Sequence, residues 1–201
     1  MNIINATLRK TPGLFTVSCE GERIGAITLQ QGTVSVQNGD IDARGQLLIA
    51  PLVEPHIHLD AALTAGQPEW NASGTLFEGI ERWAQRKETI THEDTKQRAH
   101  TTLRMLAEHG IQHVRTHVDV TDPTLAALRA MIEVREEARH LVDLQIVAFP
   151  QEGIESYAAG RELMTQAVEV CVLLIGTTFA VKAIPSAALD YLLVKSNQRG
   201  V

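Results

Sequence analysis

The chain has 201 residues, 44% of them hydrophobic, enough to bury the core of one domain or a little more. Eighteen Lys and Arg against 24 Asp and Glu give a formal charge of -6 with no basic patch, which argues against nucleic acid or an anionic membrane as a partner. The two cysteines, Cys19 and Cys171, are too far apart to suggest a secreted disulfide framework; Met1-Asn2-Ile3-Ile4 lacks a signal-peptide pattern and no apolar run is long enough for a bilayer, so a cytoplasmic location is expected.

Residues 1–50 read as a small β unit. β-type patterns at 2–8, 14–19, 23–29 and 45–50 are broken by turn chemistry at Thr11-Pro12-Gly13, Glu20-Gly21-Glu22, Gln31-Gly32 and Asn38-Gly39-Asp40. The apolar run Leu47-Leu48-Ile49-Ala50 then leads into Pro51-Leu52-Val53-Glu54-Pro55-His56-Ile57-His58-Leu59-Asp60, and residues 51–201 alternate strand and helix. A polar loop at 64–71 precedes a helix through 77–87. Thr91 with Asp94 three residues on forms a variant capping box for a second helix, with Ala99, Thr102, Leu103 and Leu106 near one face and Gly110 closing it. A strand at 111–120 follows. Asp122 as N-cap and Pro123 at the first helical position then predict a helix through Leu125, Leu128, Ile132 and Arg135. A strand at 144–149 and a helix at 157–170 complete the pattern. Repeated βα units point to a parallel sheet or the opening of a (β/α)8 barrel.

Side chains two apart on an extended strand share a face, so His56 and His58 point the same way and can supply half of a metal site. His113, Arg115, His117 and Asp119 also share a face, unusually polar for the interior of a parallel sheet. His113 fits a capped or ion-paired role as well as a lumen position; His117 and Asp119, nearer the strand's C-terminal end, are the better candidates for pocket lining. Gln151, in Ala148-Phe149-Pro150-Gln151-Glu152-Gly153, fits two readings: a turn former, or a carboxamide presenting donor and acceptor to an amide edge such as that of a pyrimidine. His92, His100, His109 and His140 fall on helices or their ends and read as surface residues.

These stretches, together with Thr64-Ala65-Gly66-Gln67-Pro68 and Ser73-Gly74-Thr75-Leu76-Phe77-Glu78-Gly79-Ile80-Glu81-Arg82-Trp83, resemble the bacterial cytosine deaminases of the amidohydrolase superfamily, from about residue 45 to 170. His-X-His is widespread among amidohydrolases; the loop after it and the Phe-Pro-Gln-Glu-Gly turn are more specific. The resemblance implies an α/β fold in which a small β-sandwich-like unit (1–50) precedes a (β/α)8 metal-dependent hydrolase barrel (from 51). It implies Fe2+ or Zn2+ as cofactor and a small-molecule pyrimidine as substrate, cytosine being hydrolysed to uracil and ammonia. His56 and His58 would be metal ligands, Gln151 would hold the pyrimidine edge, and the backbone around Leu76 would close over the ring. A triazine or isocytosine ring is the alternative substrate.

The sequence departs from the family in two respects. Family members are about twice as long, and their third histidine ligand, acid/base glutamate, further histidine and metal-bound aspartate come from later strands that these residues do not include. Residues 171–187 replace a family strand with unrelated sequence, as a reading-frame disturbance would, and a family-like helix resumes at Leu189. The expectation is an incomplete barrel, inactive alone, or a module completed by a partner. An exposed parallel edge would also favour homo-oligomers.

Overall fold

The computed structural model describes residues 1–154 and 159–170, and the backbone of 173–174. The chain divides into two compact units, Met1–Ala50 and Pro51–Val201.

The first unit is a four-stranded sheet. Strands β1 (Asn2–Leu8), β2 (Thr11–Glu20) and β3 (Arg23–Leu29) form an antiparallel meander, and the short β4 (Ile41–Asp42) pairs parallel to β1, giving the order β3-β2-β1-β4. Two-residue alternation places Ile4, Ala6, Phe15 and Val17 on the buried face. Thr11-Pro12-Gly13, expected as a break, lies inside β2. The reversal falls instead at Arg9-Lys10, where Lys10 takes φ 62, and an irregular register between Leu8/Thr11 and Ala6/Phe15 accommodates Pro12 and Gly13. The strand expected at 45–50 is reduced to one bridge, Thr7 to Leu47, because Arg44 (φ 53) and Gly45 (φ 79) turn the backbone just before it.

The second unit is a parallel sheet with helices between its strands. Its elements are β5 (Leu52–Ile57), α1 (Leu76–Lys87), α2 (His92–Glu108), β6 (Ile111–Asp119), α3 (Ala126–Glu137), β7 (Asp143–Phe149), α4 (Gly160–Val170) and β8 (Leu173–Leu174), with strand order β5-β6-β7-β8. The first strand is therefore Leu52–Ile57 and not the run at 47–50, where Leu47 and Ile49 are more than half exposed; His56 belongs to the strand itself. Val114, Thr116 and Val118 of β6 and Leu144, Ile146 and Ala148 of β7 form one fully buried face. They pack with Ala99 and Leu103 of α2, Leu128, Met131 and Val134 of α3, and Met164 and Ala167 of α4. This face forms because β-branched and aliphatic residues alternate on the strands while the helices present apolar residues at three- and four-residue spacing.

Helix starts follow local chemistry. Thr91 Oγ1 accepts from Asp94 N at 3.1 Å, the cap the sequence indicates. Thr75 caps α1 in the same way, and the Glu78 carboxylate reaches back to Ala72 N, Ser73 N and the Ser73 hydroxyl. α3 starts later than expected: its N-cap is Leu125 in the left-handed region (φ 51). Asp122 instead closes a turn on Thr124 and still accepts from Ala126 N at 3.1 Å. The helix expected at 157–170 is observed from Gly160; residues 155–158 lie outside the described residues, as do nearly all of the atypical 171–187 segment and the helix expected from Leu189.

Candidate functional site

Burial along β6 rises toward its C-terminal end: His113 is exposed and Arg115 half-buried, whereas His117 and Asp119 are 4% and 3% exposed. The polar face picked out from the sequence is thus one side of a strand that becomes enclosed as it ends. At its open end His113 lies 3.5 Å from Asp143, an ion pair when the ring is protonated, and Arg115 donates to Gln145 (3.0 Å); this fits the salt-bridged alternative for His113. These four residues line a cavity of about 240 Å3 together with Val53 and Pro55.

At the enclosed end three imidazoles converge. His56 Nε2 and His58 Nε2 are 3.4 Å apart. The His117 ring stacks on His56, with centroids 3.9 Å apart and planes inclined by 17°. Phe149, at the end of β7, meets His58 and His117 edge-on, at 5.1 and 6.0 Å. The backbone fixes this arrangement. Leu59 N donates to the buried Thr116 Oγ1 at 3.0 Å, holding the residue after His58 against β6. The His58 ring hydrogen-bonds to the backbone of His117, and the His117 ring to that of Ile57. Burial, followed by the neighbouring His56 ring, holds His58 below the ordinary imidazole range; burial and the two neighbouring rings push His117 down to about 4. Both are therefore neutral at pH 7, the form that coordinates a cation. His117 Nδ1 is buried without a hydrogen-bond partner among the described residues.

Two ligands of a tetrahedral cation at bond lengths of about 2.0–2.1 Å stand about 3.4 Å apart, so the His56–His58 spacing matches two corners of such a site. Among the described residues no group of three His, Cys, Asp or Glu side chains is arranged to hold a metal ion. His117 presents a ring face to His56 rather than a nitrogen to the same point.

Behind the imidazoles lies a polar network that sequence reasoning did not anticipate. Asp60, 1% exposed, accepts from Asp119 N (2.8 Å) and Ala61 N (3.1 Å); burial pushes its carboxyl up to about 7. Arg98 of α2 donates to the carbonyls of Asp60 (2.7 Å) and Ala62 (2.8 Å), tying down the loop that follows the histidines. Asp119 accepts from Thr121 N and Oγ1 through one carboxylate oxygen and from Trp83 Nε1 (2.9 Å) and Lys87 Nζ (3.2 Å) through the other. With both oxygens engaged, Asp119 fastens α1 to the end of β6, and the space it lines is only about 10 Å3. Lys87 also donates to Thr121 Oγ1 (2.7 Å) and Glu152 (2.5 Å). Burial pulls Lys87 down, but Asp119 and Glu152 outweigh it and hold the ammonium above its ordinary value. The sequence signal for α1's own anchoring was available: Thr75-Leu76-Phe77-Glu78 has the spacing of a capping box.

The remaining candidates flank this cluster. Gln151 is half-buried in the turn after β7, next to the Glu152 that Lys87 holds. Leu76 opens α1 and is 63% exposed. Between α1 and the loop after the histidines is a second cavity, about 270 Å3, lined by Thr64, Gly66, Gln67, Trp70, Arg82 and Trp83 among others. Gly66 is required there: its φ is +81, and a Cβ would meet the Trp70 ring at 3.0 Å.

The second unit is a parallel βα sheet with paired imidazoles at the end of its first strand, and the sequence matches the amidohydrolase family over residues 40–178. The chain belongs to that family, whose members generally use a divalent metal. Among solved structures, 5-methylcytosine deaminase from Klebsiella pneumoniae, liganded with 5-fluorocytosine, is 55% identical with a TM-score of 0.94, covering 100% of this chain and 49% of that one. N-isopropylammelide isopropylaminohydrolase from Burkholderia multivorans is 26% identical with a TM-score of 0.78, covering 99% of this chain and 51% of that one. A curated relative, N-isopropylammelide isopropyl amidohydrolase of Pseudomonas sp. (strain ADP), is 30% identical over 180 residues, 87% of this chain and 44% of the relative. The chain thus spans about half the length of the relatives it matches, corresponding to their N-terminal part. Among the described residues no helix is long and apolar enough to cross a membrane.

Proposed function

We propose that this chain carries the cation-gripping and ring-reading half of an aminohydrolase that acts on cytosine or 5-methylcytosine, the sheet β5–β8 being the first part of a (β/α)8 barrel. The observation that carries the reading is the 3.4 Å between His56 Nε2 and His58 Nε2, the separation that one tetrahedral cation demands of two ligands. Fe2+ or Zn2+ held there would supply a Lewis acid that brings the pKa of water toward neutrality. The chain's own residues do the rest of what is present. Thr116 and Arg98 fix the loop bearing the histidines, and burial keeps His58 neutral for coordination. Gln151, beside the clamped Glu152, offers a carboxamide to the N–C=O edge of the ring, and the backbone at Leu76 lies over its face. Hydrolysis adds water at the amino-bearing carbon, breaks the exocyclic C–N bond and releases ammonia.

The 55% identity to a 5-methylcytosine deaminase, against 30% to a triazine amidohydrolase, favours the pyrimidine over the triazine ring. Among the described residues two imidazoles fall short of the three protein ligands a catalytic site needs, which supports reading the polypeptide on its own as a non-catalytic module; by the family resemblance the other ligands would lie in the half of the relatives that this chain does not match. The test is to purify the polypeptide, measure Zn2+ uptake, and then supply the second half of the Klebsiella enzyme, fused or as a separate chain. Expected are metal uptake that depends on His56 and His58, no ammonia from the polypeptide alone, and ammonia from cytosine or 5-methylcytosine after complementation. Faster release from ammelide, or turnover surviving the loss of both histidines, would overturn the reading.

A further inference from the structure

The coordinating geometry of His56 is not supported by its own burial, because the residue is exposed on β5. An exposed imidazole samples several rotamers, and ordering one of them on binding costs free energy that a preformed contact saves. Its Nε2 nevertheless stands 3.4 Å from that of His58. That 3.4 Å contact is a long hydrogen bond between the two rings, and the flat face of the His56 ring is held by His117, stacked beneath it at 3.9 Å and nearly parallel. His117 is itself 96% buried, hydrogen-bonded to the Ile57 backbone between the two candidate ligands, and abutted edge-on by Phe149. Its Nδ1 finds no partner among the described residues, so a hydrogen bond at that atom does not explain why a polar ring is buried here. Its hydrogen bond to the Ile57 backbone and its stack on the His56 face are the contacts that do.

We propose that His117 is a positioning residue: a stacked plate, backed by Phe149, that holds the His56 imidazole in its cation-ready rotamer without ligating the cation itself. The inference deepens the reading of His56 and His58 as ligands and rests on it for its consequence, although the stack is a property of the metal-free chain. Removing the plate loosens His56 and weakens cation binding, while any flat ring of similar size preserves it. Outer-sphere supports of metal ligands are worth about 10–100-fold in affinity, and the loss of this plate belongs in the lower part of that range.

The experiment uses the 201-residue polypeptide with Zn2+ as probe and two readouts. Calorimetric titration of the unaltered chain, His117→Phe and His117→Ala measures affinity; thermal melting of each variant confirms folding. The 1H–13C shifts of the His56 ring report whether an aromatic ring current lies beneath it. Expected are a His56 ring proton shifted upfield in the unaltered chain and in His117→Phe but not in His117→Ala, and Zn2+ affinity about tenfold weaker in His117→Ala with His117→Phe close to the unaltered chain. Equal affinity of His117→Ala and the unaltered chain overturns the proposal, as does a His117→Phe variant as weak as His117→Ala, which would give the role to a nitrogen. Failure of the ligand reading looks different: the unaltered chain takes up no Zn2+, and the His56 shifts alone then decide whether the plate exists.

Discussion

Replacing Asp119 with alanine is the most demanding test of how the site is assembled. Asp119 is 3% exposed and receives four hydrogen bonds, from Trp83, Lys87 and, twice, Thr121. Removing one partner of a buried ion pair costs about 3–5 kcal/mol, because the other charge is left uncompensated. Lys87 retains Glu152, itself 40% exposed, which places the electrostatic loss at the low end. The orphaned Trp83 and Thr121 N–H groups each add about 1 kcal/mol. The expected total is about 5 kcal/mol, a large share of the roughly 5–15 kcal/mol that holds a domain folded. At a urea m-value of about 2 kcal/mol per molar, the midpoint should fall by about 2.5 M. Lys87→Met is milder, about 1–2 kcal/mol, since Asp119 keeps its other three donors. The double variant should cost no more than Asp119→Ala alone, because deleting Lys87 removes the stranded charge. Trp83 is a built-in reporter: the chain has two tryptophans, and a Trp70→Phe background leaves only the one bonded to Asp119. An Asp119→Ala midpoint within about 0.5 M of the parent, or a Lys87→Met loss exceeding it, would refute the argument that this carboxylate anchors α1.

Three further outcomes follow from other contacts. Thr116→Val keeps the shape but strands the Leu59 N–H, so stability should fall by about 1–3 kcal/mol and the Leu59 amide should exchange faster by NMR. Arg98→Met releases the carbonyls of Asp60 and Ala62, and limited proteolysis should then cut the loop at 61–71 faster while the sheet survives. On the opposite face of α2, hydrogen bonds from Lys96 first and from His92 and His100 second hold Glu133 and Glu137 below their ordinary value of 4.5. A depressed folded-state pKa means stability present above 4.5 and lost as pH falls through the folded values; Lys96→Ala should flatten that acid-side loss in urea midpoints measured from pH 3 to 6.

The elements legible in the sequence were those whose signals are local. Thr91 with Asp94 marks the start of α2, and the alternation in Ile111–Asp119 marks β6, because capping and pleating are properties of a few adjacent residues. The misplacements have the opposite cause. Leu47-Leu48-Ile49-Ala50 has the composition of a buried strand, but the backbone turn at Arg44-Gly45 leaves it one bridge, and the sheet begins instead at Leu52. Asp122-Pro123 has the composition of a helix start, yet Asp122 spends its carboxylate on Thr124, and the helix waits for Leu125. Composition ranks segments; partners two or more turns away decide between them.

The same distinction separates the two halves of the site. His56 and His58 share a direction because a pleat makes them do so, and a period of two is visible in any sequence. That His117 lies under one of them, while Asp119 on the same face turns to Trp83 and Lys87, depends on the register that pairs Ile57 with Thr116 and on a helix arriving from more than thirty residues upstream. Four polar residues on one strand face therefore take four roles: His113 beside Asp143 at the open end, Arg115 bonded to Gln145, His117 stacked on His56, and Asp119 bonded to Trp83 and Lys87. Alternation groups them, and only the packing around the strand's last turn tells them apart. The physical consequence is that the paired imidazoles and their supports are coupled through backbone: Leu59 on Thr116, Asp119 N on Asp60, and His117 on Ile57 tie the end of β5 and the residues after it to β6. A substitution that shifts this register by one residue would exchange the polar face for the apolar one and dismantle the imidazole cluster along with the core.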